Sequence, residues 1–410
     1  VQSQRWIVVA DSPFLPPTGG GEQEHLGFVR AAAGEGLLAL LVLPDGDTVD
    51  LKEYIRLLPG VPVLPTPRRT NPLLLAHPTT PYVVASRPAP AWLVPRAREL
   101  APDATGIVIF SYKSRWIGEA LARGLDLSAV IRQHNREGAY HRSLAAQTPG
   151  PRGWVLRWEA MRIERDERRL GHAEWLAGTA DISLADADWR RGTGAPNVVH
   201  VPPFALGLSQ DPQDAAQAPG GPRAVGGPPR VLFLGTLDTA TNTGALDWFL
   251  GRVWPTVLAG HPDVVLDVVG RGPSPALRRR LEAAERVELA ADVPDVGPYL
   301  RRAAVAVNPV ISGSGVNIKL VEYLDAGLPL VSTSLATEGL PLGPGVDLEV
   351  HDDPAGFASA VLRLLEHPDE ALVMAAHGRA HLRELLDVKT NLARIGELLS
   401  PKRSASPASR

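Results

Sequence analysis

Lys319 and Glu322 stand three residues apart in NPVISGSGVNIKLVEYLDAGLPLVSTSLATEG, Asn308–Gly339, so a helix carrying them presents both on one face. Ser312, Gly313, Ser314 and Gly315 come just before that helix, which is predicted to begin near Val316 and Asn317. Residues this small let a ligand reach bare backbone, and a helix N-terminus offers unpaired N–H groups and a partial positive charge. The combination suits a phosphate. Lys319 would then face the phosphates, and Glu322 would accept from the hydroxyls of a sugar diol. Val316, Leu320, Val321 and Leu324 fall on the other, core-directed side. The alternative is a buried α/β crossover whose two charges face solvent or pair with each other.

A second set of candidates lies in the first half. Gly19, Gly20, Gly21 and Glu22 separate the first apolar run from a helical pattern that includes His25. Bare glycine backbone there could approach phosphate or acceptor, or serve only as a turn; the spacing is not that of a dinucleotide fingerprint. His134 ends a predicted strand, with Asn135 and Glu137 behind it. An imidazole at a strand end could bond a sugar hydroxyl, though a structural role is open as well. Asp11 and Glu22 are carboxylates at the same edge that could act as a base. Arg271, between Gly270 and Gly272, could meet a nucleotide. Met161, Trp154, Trp158 and Trp175 read as core or acceptor-lining side chains, with core the favoured reading. No His/Asp cluster stands at metal-ligand spacing, and metal independence is expected.

These residues need strand ends to hold them, and the chain supplies strands. RWIVVA, LLALLVL, VLFLG, VVLDVVG and AVAVNP are unbroken apolar runs separated by helical stretches, as in parallel sheets buried on both faces. Other strands are expected at Gly106–Ser111, Ala129–Gln133, Asp181–Leu184 and Val198–Val201. Pro59–Pro102 reads as a long proline-rich surface excursion, and Trp154–Trp175 as a long helix. With 410 residues, two domains are the default. The expected division is 1–204, a linker 205–229, 230–400 with a last helix that can pack back on the first domain, and a disordered tail 401–410. Ligands are expected in a central cleft lined by the loops after Ala10, Gln133, Gly235, Gly270 and Pro309.

Net charge is −3, which gives no basic excess for nucleic acid, and there are no cysteines. No apolar run approaches the roughly 18–20 residues of a membrane span. A cytoplasmic location is expected. Only five of the basic residues are lysines, so an ammonium at 319 departs from the chain's arginine habit.

In order and spacing, FLGTLDTATNTGALDWFL, VVGRGPSPAL, VPDVGPYLRRAAVAVNPV and SGSGVNIKLVEYLDAGLPLVSTSLATEGL resemble the C-terminal half of retaining GT-B glycosyltransferases of the family-four-like group. PPTGGGEQEHL and QHNREGAYHRSLA match its N-terminal half more loosely. The resemblance implies an α/β, GT-B fold, two doubly wound Rossmann-like domains facing a central cleft. It also implies sugar transfer from a nucleotide-diphosphate donor with retention, no further cofactor, donor held by the C-terminal domain and acceptor by the N-terminal one.

By position, Glu322 matches the family's ribose-binding glutamate, and Ser314 stands where its partner glutamate would be. Val293 lies where the base is held through backbone groups, and Gly20, Gly21 and Gly235 lie on the phosphate side. His134 and Asn135 match a His-Asn pair, with Glu22 and His25 toward the acceptor. The family's cations after Gly235 are absent, which leaves Lys319 as the phosphate cation. Two other readings are a catalytically silent nucleotide-sugar-binding partner and a sugar-nucleotide epimerase on the same scaffold.

Overall fold

The computed structural model describes residues 4–17, 20–45, 50–77, 79–146, 148–204, 227–313 and 316–400. Most of the expected linker, the tail 401–410, and Ser314 and Gly315 lie outside the described residues. The chain divides into two compact units, Val1–Leu206 with Asp387–Arg410, and Gly207–Leu386.

The N-terminal unit is built on seven parallel strands in the order β3-β2-β1-β4-β5-β6-β7. These are β1 Trp6–Val9, β2 Leu38–Pro44, β3 Val63–Thr66, β4 Gly106–Phe110, β5 Ala129–Gln133, β6 Leu176–Asp181 and β7 Val198–His200. Strand side chains alternate between faces, so Trp6 and Val8 join one core with Leu41, Val108 and Phe110. Ile7 and Val9 join the other with Leu40, Ile107 and Ile109. Both faces are covered, which explains why these strands read as unbroken apolar runs. The final helix, Val388–Leu399, adds Leu392, Ile395 and Leu399 to the first core.

The C-terminal unit has six parallel strands in the order β10-β9-β8-β11-β12-β13. They are β8 Arg230–Thr236, β9 Val265–Arg271, β10 Val287–Ala291, β11 Val305–Asn308, β12 Leu330–Ser332 and β13 Glu349–Val350. Val231, Phe233, Leu266, Val268, Val305 and Val307 pack with Phe249 and Phe357 in a single core. Each unit is therefore a Rossmann-like layer structure. Each also has a topological switch point, between β1 and β4 in one and between β8 and β11 in the other, where ligands of such sheets collect.

Four expectations are corrected. Pro59–Pro102 is not an unstructured excursion, because it contains β3 and a helix, Leu93–Leu100, that buries Leu93 and Ala97. Pro65 is tolerated because β3 is an edge strand, where a missing N–H breaks no inner ladder. The strand expected over Asp181–Leu184 ends at Asp181, since the Ser183 hydroxyl accepts from the Asp186 N–H and starts a helix at Leu184. The helix carrying Lys319 spans Ile318–Asp325, with Asn317 extended at its N-cap, two residues later than predicted. The long helix runs Pro151–Leu170, and Trp154, Trp158 and Met161 on it are exposed rather than core.

Candidate functional site

At the switch point of the C-terminal sheet, Lys319 sits in the first turn of the helix Ile318–Asp325. Its Nζ donates to Asn242 Oδ1 at 2.7 Å and lies 4.9 Å from the centre of the Phe233 ring. Asn242 in turn donates through Nδ2 to the Thr236 carbonyl at 2.8 Å. The segment after β8 has no cation of its own, yet it supplies the side chain that aims one. Lys319 thus gives its hydrogen bond to a neutral amide and not to Glu322, one turn further on, which is exposed.

Loss of hydration brings the Lys319 ammonium down to about 8, against the pull of Glu322. An amine in that state gains more from an anion than a fully hydrated one would. Burial is what tunes it.

The glycines around it have a packing reason. A Cβ on Gly270 would come within 1.8 Å of the Gly235 carbonyl oxygen, and one on Gly235 within 3.1 Å of Asn242 Nδ2. The loop after β11 reaches the same place: Ser312 and Gly313 are exposed, Gly313 has φ +141°, and its Cβ position faces Thr241 at 3.6 Å. Val316 and Asn317 are half-buried. Asn308, fully buried at the end of β11, has an Nδ2 with no partner among the described residues. On the β9 side, Arg271 is exposed and its carbonyl accepts from Leu237 at 2.7 Å. Val293 follows Asp292, whose Oδ1 takes the Gly272 N–H at 2.9 Å.

The N-terminal sheet has its own polar cluster at the carboxyl edge. His25 lies inside α1, Gly20–Gly34, and is buried rather than on the surface. Its ring is 4.6 Å from that of His134 and its Nε2 is 3.5 Å from Asp11 Oδ1. Lys113, just after β4, bridges Asp11 Oδ2 at 3.4 Å and Glu137 Oε1 at 3.1 Å. Arg87 donates from Nε to the Asp11 carbonyl at 2.6 Å.

Burial alone would raise the Asp11 carboxyl, but His25, Lys113, His134 and Arg87 more than offset it and hold the group well below the usual carboxylate range. His134 is pushed well below its ordinary value by burial, then by repulsion from His25, so its imidazole is neutral at physiological pH. His134 Nε2, both His25 ring nitrogens and Asn135 Oδ1 are buried without hydrogen-bond partners among the described residues. Several unmet polar atoms at one edge are what a ligand would satisfy. Gly20 and Gly21 open α1 at this edge, and a Cβ on Gly21 would meet nothing within 4 Å; Glu22 follows them, half-buried.

The structure therefore gathers Lys319 with Gly235 and Gly313, and separately His134, Asn135 and His25. Lys113, Arg87, Asn242 and Asn308 join these groups without having been singled out from the sequence. Asn308, at a strand end, was the one whose position alone could have flagged it. Among the described residues no group of three metal-capable side chains comes together, and no helix is long and apolar enough to cross a membrane.

Residues 228–367 match the family described as glycosyl transferases group 1. A phosphatidyl-myo-inositol mannosyltransferase of Mycolicibacterium smegmatis is 31% identical over 42% of this chain and 45% of its own length. A 44.6 kDa uncharacterised protein in the cps region of Klebsiella pneumoniae is 25% identical over 39% of this chain and 43% of its own length. These matches span about half the length of the curated relatives or less. Over the whole chain, the crystal structure of Anabaena Alr3699/HepE in complex with UDP and glucose aligns with a TM-score of 0.63. It is 14% identical and covers 97% of this chain and 99% of that one. The chain is a GT-B-fold protein related to the glycosyl transferases group 1 family, whose match lies within its C-terminal unit.

Proposed function

We propose that this protein is a glycosyltransferase that moves a sugar from a nucleotide-diphosphate donor to an acceptor hydroxyl, with retention of configuration. One observation carries the reading: a partly dehydrated ammonium, Lys319, is aimed by Asn242 at the N-terminus of a helix at a sheet switch point, with Glu322 one turn away. The glycosyl transferases group 1 match covers this place, and the Anabaena structure holds UDP and glucose. Ser312, Gly313, Ser314, Gly315, Val316 and Asn317 would present backbone to the diphosphate. Glu322 would hold the ribose hydroxyls, and Arg271 and Val293 would flank the nucleoside. The N-terminal unit would take the acceptor, with Glu22, His25 and Asn135 around it, Gly20 and Gly21 on the phosphate side, and neutral His134 toward the sugar. A cytoplasmic location, where nucleotide sugars are made, belongs to the same proposal.

In the reaction, the bond between the sugar's anomeric carbon and the diphosphate oxygen breaks, and its electron pair stays on that oxygen. A bond forms from the anomeric carbon to the acceptor oxygen, whose proton passes to the departing diphosphate. Charge therefore builds on the leaving phosphate, and Lys319 stands ready for it without reorganisation.

The test is a pH series. The ammonium that binds the diphosphate exists below about 8 and is lost above it, so affinity for a nucleotide sugar should be flat at low pH. Above that point it should weaken by up to about tenfold per pH unit. Calorimetric titration between pH 6.5 and 9 reads this directly. Affinity that stays level across the range would mean that Lys319 does not meet the phosphates.

A further inference from the structure

The hairpin of α6, Glu137–Ala146, and α7, Pro151–Leu170, carries an apolar surface that shares no residue with the proposed donor and acceptor sites. Trp154, Trp158 and Met161 are 69%, 42% and 62% exposed, and Tyr140, Leu144 and Val155 are exposed beside them. Spacing of four and then three residues sets Trp154, Trp158 and Met161 in one line along α7, and Arg165 continues it. Ala160, Ile163 and Leu170 are buried on the opposite side. Large apolar side chains grouped in this way mark a docking surface.

The charges on the helix are sorted as well. Its four carboxylates are all engaged. Glu159 pairs with Arg162 at 2.9 Å, Asp166 with Arg115 at 2.7 Å and Glu164 with Arg142. Glu167 accepts from the Glu137 and Gly138 N–H groups at 3.1 Å. Arg152, Arg157, Arg165, Arg168 and Arg169 are exposed. The outward face is thus aromatic and cationic, on a chain whose net charge is −3.

We propose that this face docks on the surface of an anionic lipid bilayer. Indole rings and a thioether enter the boundary between headgroups and acyl chains, where an apolar body with a polar edge is best placed. The arginines reach the lipid phosphates while their stems cover apolar surface. A second copy of the chain is a poorer occupant, because a two-fold contact through this face would set like charges against each other.

Co-sedimentation of the full chain with vesicles of phosphatidylcholine alone, and of phosphatidylcholine with phosphatidylglycerol, tests this. Binding is expected to the anionic vesicles only and should weaken at high salt. Arg157→Gln and Arg165→Gln should each weaken it about fivefold. The pair Trp154→Ser and Trp158→Ser should abolish it, with the circular dichroism spectrum and donor affinity unchanged.

No binding to anionic vesicles, or binding indifferent to the arginine variants and to the tryptophan pair, overturns the proposal. So does a dimer seen by light scattering that the tryptophan pair disperses, or retention on RNA in place of vesicles. Lipid binding is the only readout, so its failure leaves the transferase reading standing.

Discussion

Lys319→Ala is expected to lower turnover of a nucleotide-sugar donor by about 10²–10³-fold, the loss typical of removing one preorganised group that faces developing charge. Among the described residues, Lys319 lies against Phe233 and hydrogen-bonds to the neutral Asn242 amide and to no carboxylate, so no ion pair there depends on it. Truncation should leave the unit folded, with Asn242 Oδ1 open to water. In the proposed reaction, what disappears is the cation placed for the leaving diphosphate as it gains charge.

Asn242→Ala acts through the lysine, as a positioning residue. It should cost less and should move the pH at which donor affinity falls, since it alters the surroundings of the ammonium. Steady-state kinetics of both variants, with a thermal melt of each, separates the roles. Turnover by Lys319→Ala within a few-fold of the parent would assign the phosphate cation elsewhere.

The largest effect on stability is expected at Arg132. Its guanidinium is fully buried on β5, bonded to Glu24 Oε1 at 2.7 Å and to the Val201 and Pro202 carbonyls at 3.0 and 2.8 Å. Glu24, on α1, also takes the Phe204 N–H, and the Arg132 guanidinium lies 4.9 Å from the Phe204 ring centre. One side chain therefore fixes a strand, a helix and the segment after β7. Arg132→Ala leaves the Glu24 carboxyl buried without its counter-charge, and burial already raises that group. Breaking one side of such a pair costs about 3–5 kcal/mol. For a unit of this size the melting temperature should fall by about 6–20 °C. Replacing both partners by methionine should recover much of the loss, because the unpaired charge is then gone. A melt of Arg132→Ala indistinguishable from the parent would show that the network contributes little.

How much of this was legible in the chain depends on how local each signal is. The strands with both faces buried, such as VLFLG and VVLDVVG, announce themselves because every residue must be apolar. The Asn308–Gly339 stretch was legible because its loop, its helix and two charges are contiguous. β3 was hidden, because Pro65 signals against a strand and only its place at the sheet edge makes it tolerable.

Contacts between distant segments were not legible at all. Asn242 and Lys319 are 77 residues apart, and Lys113 reaches Asp11 across 102. Nothing in either segment names the other. The face of α7 was misread for a different reason: it buries Glu159 and Glu167 and exposes Trp154, Trp158 and Met161, which inverts the usual pattern. Hydrophobic periodicity sees an apolar stripe on a helix but not which way it faces.

The central claim is that the Lys319–Glu322 face holds a nucleotide-diphosphate sugar, and calorimetric titration with UDP-, GDP-, dTDP- and ADP-sugars tests it most directly. The parent chain should bind one nucleotide class. Glu322→Ala should weaken that binding by about 10–100-fold, the worth of charge-assisted hydrogen bonds to a ribose diol. Lys319→Ala should weaken it as well. No binding of any donor, or binding that neither substitution changes, would contradict the account.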